Sequence, residues 1–214
     1  MSPTHLLVMD VDSTLTSTEG IDLLADLAGR GPQVAAVTAR AMAGELDFAA
    51  SLHERVACLR GLPQAGLQEA AAMVRLTPGA RELVAAAHAQ GWAVAAVSGG
   101  FVQMVAPLAA DLGLDFYRAN TLEVSDAVLT GRVVGPVVDR AAKETALREW
   151  AGVLGVPLER TVAIGDGAND LDMMAAAGLS IAFGGKPAVV AAADHAIDGS
   201  LAKALPLLAA AASA

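Results

Sequence analysis

Asp10 and Asp12 stand two positions apart where the apolar run Leu6-Leu7-Val8-Met9 ends, and the polar string Ser13-Thr14-Leu15-Thr16 follows at once. Two carboxylates this close repel one another unless a cation or a proton lies between them, which argues against a core-filling role. Asp-x-Asp taken alone also fits an acidic loop beside a strand. Three further segments bear on the choice. Ser98-Gly99-Gly100 follows the apolar run Trp92 to Val97. Small residues ahead of a helix let backbone N–H groups approach a phosphate, and Ser98 adds a hydroxyl donor, although most such triplets are plain turns. Gly165-Asp166-Gly167-Ala168-Asn169-Asp170 follows the run Thr161 to Ile164. Asp166 and Asp170 with Asp10 offer only oxygen ligands, a set suited to a hard cation such as Mg²⁺ that keeps several waters beside a substrate phosphate. Gly-Asp-Gly alone fits a tight turn with a solvated aspartate. Lys143 opens the helix before that third run, where a cation would neutralise phosphate charge, though an isolated helical lysine is ordinarily a solvated surface residue. His5, His53, His88 and His195 have neither ligand spacing nor a partner nucleophile, and none is assigned a role.

The elements that must carry these residues follow from periodicity. The run ending at Asp10 reads as a strand buried on both faces, and the carboxyl ends of such strands are where open parallel sheets bind ligands. Helical spacing over Ile21, Leu23, Leu24 and Leu27 stops at Gly29 to Pro32; Val34 to Leu59 is helical with a break near Gly44 to Asp47; Gln64 to Val74 is a further helix. Residues 16–74 therefore read as a small helical module inserted after the first strand. Thr77-Pro78-Gly79 opens a helix to Gln90, Trp92 to Val97 is a second buried strand, and Phe101 to Leu112 is helical. Leu122 to Val124 and Val128 to Val134 read as a hairpin around Ser125-Asp126-Ala127. Ala141 to Leu154, Leu171 to Ala177 and Ala188 to Ala193 read as helices, Thr161 to Ile164 and Leu179 to Phe183 as strands, and Leu205 to Ala214 as a final fraying helix. Alternating strands and helices predict an α/β fold, a parallel sheet covered on both faces, built from residues 1–15 and 75–214. The strand ends carrying Asp10, Ser98 and Asp166 then share one sheet edge.

Composition narrows the function. At 214 residues the chain is long enough for one domain with an insertion. Mean hydropathy is +0.51, yet no uncharged apolar stretch reaches the roughly 18 residues of a membrane span. No secretory signal is read at the amino terminus, so a soluble, cytoplasmic protein is expected. Cys58 is alone, which excludes an internal disulfide and suggests a buried inert thiol. A net charge of −9 disfavours nucleic acid as a partner but admits a small anion held by local cations and backbone N–H groups.

Asp10-x-Asp12-Ser13-Thr14, Ser98, Lys143 and the string Gly165 to Asp170, in that order over nearly the whole chain, resemble the haloacid dehalogenase superfamily of phosphatases. Asp12-Ser13-Thr14-Leu15, Val97 to Phe101 and Gly165 to Asp170 are similar in particular to its phosphoserine-hydrolysing members. The resemblance implies a Rossmann-like three-layer core, the helical module as a cap and the hairpin as a flap. It implies Asp10 as nucleophile, Asp12 as acid and base, and Ser98, Gly99, Gly100 and Lys143 on the phosphoryl group. Mg²⁺ would be held by Asp10, Asp166 and the main-chain carbonyl of Asp12, with Asp170 in the same acidic set. Glu19, Met42, Phe48, Arg55 and Asn169 fall where those relatives contact substrate. Glu19 and Arg55 would match the ammonium and carboxylate of phosphoserine, the substrate of the last step of L-serine biosynthesis. Val11, where relatives commonly carry Phe, and Gly184-Gly185 before Lys186 depart from the pattern without touching a reacting group. No amino-terminal regulatory domain is expected. Two other readings stay open: a phosphotransferase passing the phosphoryl group to an alcohol such as homoserine, and a non-catalytic phosphoryl-binding module.

Overall fold

The structure, a computed structural model, describes residues 2–212. The chain begins with β1 (Leu6–Met9), then four helices, α1 (Gly20–Leu27), α2 (Gly31–Met42), α3 (Phe48–Cys58) and α4 (Gln64–Met73). Next come α5 (Ala80–Ala89), β2 (Ala93–Phe101), α6 (Val102–Leu112), β3 (Phe116–Ser125) and β4 (Val128–Val134). The last part runs α7 (Arg140–Leu154), β5 (Thr161–Gly165), α8 (Leu171–Ala176), β6 (Leu179–Phe183), α9 (Pro187–Ala192), β7 (His195–Ile197) and α10 (Leu205–Ala211).

The strands form one sheet in the order β4-β3-β2-β1-β5-β6-β7, parallel throughout except where β4 returns antiparallel to β3. β1 is central because all four of its side chains are apolar, and each is wholly buried. Leu7 and Met9 face the cluster filled by α5, α6 and α10, whereas Leu6 and Val8 face the one filled by α7, α8 and α9. The result is a three-layer sandwich of the Rossmann type. Met9 is level with Ala96 and Ile164, so the carboxyl ends of β1, β2 and β5 emerge side by side.

Helices α1 to α4 lie between β1 and α5 and share a third apolar cluster. That cluster is not private to them: Phe101 and Met104, and Leu122 and Leu129 of the β3–β4 hairpin, are buried in it. The hairpin tip is also joined to the α3–α4 turn through the main chain. Gly61 N–H donates to the Leu129 carbonyl, Leu129 N–H to Leu62, and Gln64 N–H to Ala127, each at 2.8 Å. The two crossings between the helical module and the sheet lie against one another, with Ser17 N–H donating to Arg75 at 2.8 Å and Thr77 N–H to Leu15 at 3.0 Å.

Several expectations need correction. β2 does not close at Val97 but runs to Phe101, with Ser98-Gly99-Gly100 as a bulge inside it. β3 begins at Phe116 rather than Leu122, because its first half pairs in parallel with β2 before its second half turns into the hairpin. The short edge strand β7 was not expected; its register comes from pairing with β6 rather than from a local pattern. The helix expected from Thr77 starts at Ala80, since Gly79 adopts a left-handed φ of 80° and a β-carbon there would lie 2.4 Å from Ala202 N. Cys58 is half-buried rather than buried. α10 ends at Ala211, and the expected continuation to Ala214 reaches residues outside those described. Among the described residues no helix is long and apolar enough to cross a membrane.

Candidate active site

One cavity of about 820 Å³ opens where β1, β2 and β5 end, roofed by the ends of α1, α2 and α3. Asp10, Asp12, Glu19, Met42, Phe48, Arg55, Gly99, Gly100, Asp166 and Asn169 all line it. Ser98, Lys143 and Asp170 do not reach its wall; they are fully buried behind it.

Asp10 follows β1 directly, and its N–H donates to Ile164 of β5 at 2.9 Å, which fixes it at the sheet edge. Lys143 rises to it from the first turn of α7. Asp139 starts that helix by accepting the Ala142 N–H at 2.9 Å, an aspartate N-cap. The Lys143 ammonium donates to Asp10 Oδ1 and, at 2.6 Å, to Asp170 Oδ1. Asp170 Oδ2 accepts the Gly167 N–H at 3.0 Å, so both its oxygens are engaged. A β-carbon at Gly165 would fall 2.5 Å from the Asp170 carboxyl carbon, which explains the small residue there.

Asp12 has a different surrounding. Its Oδ1 accepts the N–H of Gly20, the first residue of α1, at 2.8 Å, and its Oδ2 accepts the Ser98 hydroxyl at 3.0 Å. Ser98 Oγ in turn accepts the Gly100 N–H at 2.7 Å. The bulge brings backbone close to side chains on both sides: a β-carbon at Gly100 would sit 2.6 Å from Asp12 Oδ2, and one at Gly99 would sit 2.7 Å from the Phe48 ring. Met42 is largely exposed at the mouth, 74% accessible.

The electrostatics are short of positive charge. Burial pushes the Asp10 carboxyl well above the usual carboxylate range; Lys143 opposes this, while Asp170 and Asp12 add to it. Asp166, which accepts from the Thr14 hydroxyl at 3.3 Å, is likewise raised by burial and then by Asp170. Burial disfavours the Lys143 ammonium, yet the two carboxylates it touches outweigh that and hold its pKa above the ordinary lysine value. Asp10, Asp166 and Asp170 each present an oxygen within 4.8 Å of the others. One ammonium faces three crowded carboxylates, and the donor set is all oxygen, so these residues fit a hard divalent cation such as Mg²⁺. The Asp12 carboxylate is turned away from that group, toward Gly20 and Ser98.

On the roof, desolvation and then the nearby Asp12 raise the Glu19 carboxyl. Desolvation lowers the Arg55 guanidinium, countered by Glu19, Asp22 and Asp12. Arg55 stays charged, its Nε donating to Ser51 O at 3.3 Å. Two cations at the rim were not singled out from sequence. Arg140 is paired with Asp172, whereas Lys186 has no carboxylate partner among the described residues. Thr14 was quoted in the first motif but given no role, and Asp139 and Asn120 were missed; of these two, only Asp139 had a legible signal, an aspartate directly before a helical repeat.

The family described as haloacid dehalogenase-like hydrolase matches residues 7–175. A phosphoserine phosphatase of Streptococcus thermophilus is 50% identical over 192 residues, 90% of this chain and 89% of that protein. A phosphoserine phosphatase of Streptomyces coelicolor is 56% identical over 194 residues, but those are 91% of this chain and 47% of the relative, so the chain spans about half its length. A solved structure described as a phospho-aspartyl intermediate analogue of phosphoserine phosphatase superposes with a TM-score of 0.90 at 41% identity, covering 96% of this chain and 99% of that one. With the family's motifs spread over three adjacent strand ends and its match spanning most of the chain, this protein belongs to the haloacid dehalogenase-like hydrolases.

Proposed function

We propose that this chain is a Mg²⁺-dependent phosphoserine phosphatase, hydrolysing O-phospho-L-serine to L-serine and phosphate through an aspartyl phosphate. The observation that carries the reading is the shared cavity: Asp10, backed by Lys143, lies at its floor, and Glu19 and Arg55 lie on its roof. A phosphate ester of an amino acid needs both ends. The named relatives and the phospho-aspartyl structure support the same reading.

Asp10 Oδ1 is held by Lys143, which leaves Oδ2 to attack phosphorus in line. As the Asp10–phosphorus bond forms and the ester bond breaks, Asp12 gives its proton to the departing serine oxygen. Asp12 then takes a proton from the water that attacks the acyl phosphate, releasing phosphate and restoring Asp10. The buried Lys143 ammonium, held on Asp10, lowers the cost of charge developing in that corner, which the Gly99–Gly100 backbone lines. Asp10, Asp166 and the main-chain carbonyl of Asp12, with Asp170 in the same acidic set, would hold Mg²⁺, which would supply Lewis-acid stabilisation of the phosphoryl oxygens. Helices α1 to α4 act as a cap and the β3–β4 hairpin as a flap, with Met42 and Phe48 excluding water and Asn169 meeting the substrate.

The test is phosphate release with Mg²⁺ from phosphoserine, phosphoglycolate and a sugar phosphate compared at equal concentration. The expected result is a clear preference for phosphoserine; preference for either comparator rejects the substrate assignment.

A further inference from the structure

Asn120 lies on β3, is 1% exposed and does not line the cavity itself. Its position is set by the bulge. Between Val97 and Phe101 the β2 strand advances four residues while β3 advances from Arg118 to Asn120, so the ladder is broken opposite Ser98-Gly99-Gly100. A carbonyl in that gap has lost its strand partner, and an unmet buried polar group is costly. The Asn120 side chain fills the gap, its Nδ2 donating to Gly99 O at 2.8 Å. At its other end Oδ1 accepts the Val138 N–H at 2.8 Å, from the segment leading into α7. These partners fix the amide orientation, since one needs a donor and the other an acceptor.

The Gly99 carbonyl and the Gly100 N–H belong to one planar trans peptide and point in opposite directions. Anchoring the carbonyl on β3 therefore aims the N–H at Ser98 Oγ, 2.7 Å away. With a lone pair so occupied, the Ser98 hydroxyl turns its proton to Asp12 Oδ2 at 3.0 Å. A continuous chain of four hydrogen bonds thus runs from Val138 through Asn120, the Gly99–Gly100 peptide and Ser98 to Asp12.

The geometry points to Asn120 as a positioning residue that sets the orientation of Asp12, the proton donor to the leaving group, through the Gly99–Gly100 peptide and Ser98. This rests on the acid role given to Asp12 above. A group that acts through the leaving-group proton matters most when the leaving group is a poor one. An alkoxide needs the proton; a nitrophenolate leaves without it.

The experiment measures kcat/KM, with Mg²⁺ present, for wild type, Asn120→Asp and Asn120→Ala on phosphoserine, glycerol phosphate and p-nitrophenyl phosphate. Asn120→Asp keeps the size and the Val138 acceptor but has no amide donor for Gly99, and it carries the test if the alanine variant does not fold. The expected result is a loss of about 100-fold on the alkyl esters, with the aryl ester much less affected. Equal proportional losses on alkyl and aryl esters, as a falling active fraction gives, overturn the proposal, as do unchanged alkyl rates. A wild type that uses glycerol phosphate but not phosphoserine removes the substrate assignment and leaves the alkyl–aryl comparison intact.

Discussion

Lys143 and Asp170 meet at 2.6 Å with both side chains wholly withdrawn from solvent. A lysine in that position is stable only because two carboxylates share it, and it in turn keeps Asp10 from facing Asp170 without a cation between them. Removing one member of a buried ionic group leaves the others uncompensated. Lys143→Met, which leaves Asp10 and Asp170 without their shared cation, should therefore lower unfolding free energy by about 3–5 kcal/mol in urea titration. It should also lower kcat, because Asp10 loses the ammonium that holds it.

Asp10→Asn keeps the shape of the floor but replaces the carboxylate proposed to attack phosphorus by a neutral amide. Turnover of phosphoserine should fall by more than about 10⁴-fold. Beryllium fluoride, a phosphoryl mimic, should attach at Asp10 in the wild type and not in the variant, read by mass or fluorine resonance.

Arg55→Ala should separate recognition from chemistry. Without the guanidinium the substrate carboxylate loses a charge-assisted pair, and kcat/KM for phosphoserine should drop about 100-fold. A small aryl phosphate, which offers no carboxylate to Arg55, should be hydrolysed nearly as well as before. Equal losses on the two substrates would contradict the assignment.

The crowding of Asp10, Asp166 and Asp170 gives the cation a readout that does not depend on activity. Saturating Mg²⁺ should raise the thermal midpoint by about 5 °C or more, because only the folded chain gathers those oxygens. Asp166→Asn should abolish most of that rise.

Much of this arrangement was legible in the sequence, for a physical reason. Asp10, Ser98 and Asp166 each sit where a short apolar run of the sequence stops, and buried parallel strands put such ends on one edge, so these three could be brought together without coordinates. Lys143 looked like an ordinary surface lysine by its helix pattern; its position before the third strand suggested a phosphate-neutralising cation and the resemblance gave it a role, but nothing local says that its ammonium meets both Asp10 and Asp170. Asn120 was out of reach altogether. Its importance comes from a register break on the neighbouring strand, and a break between two strands leaves no mark on either one alone. The same holds for β7 and for the first half of β3, whose conformations come from the strand beside them.

Leu129 tests how firmly the hairpin belongs to the helical module. It is 1% exposed within the cluster formed by α1, α3 and α4, and Leu129→Ala should cost about 2–5 kcal/mol on unfolding. A variant that loosened only the hairpin, with global stability unchanged, would show the two to be separable.

The three main-chain bonds between the hairpin tip and the α3–α4 turn have a mechanical result. A lever pinned at both ends cannot swing as two pieces: lifting the roof to admit substrate drags the hairpin with it, or those bonds must break. Since β3 is also the strand on which Asn120 sits, the same pull travels along it toward the bulge beside Asp12. On the proposed reading, opening of the roof and the orientation of Asp12 are thereby geared to a single strand.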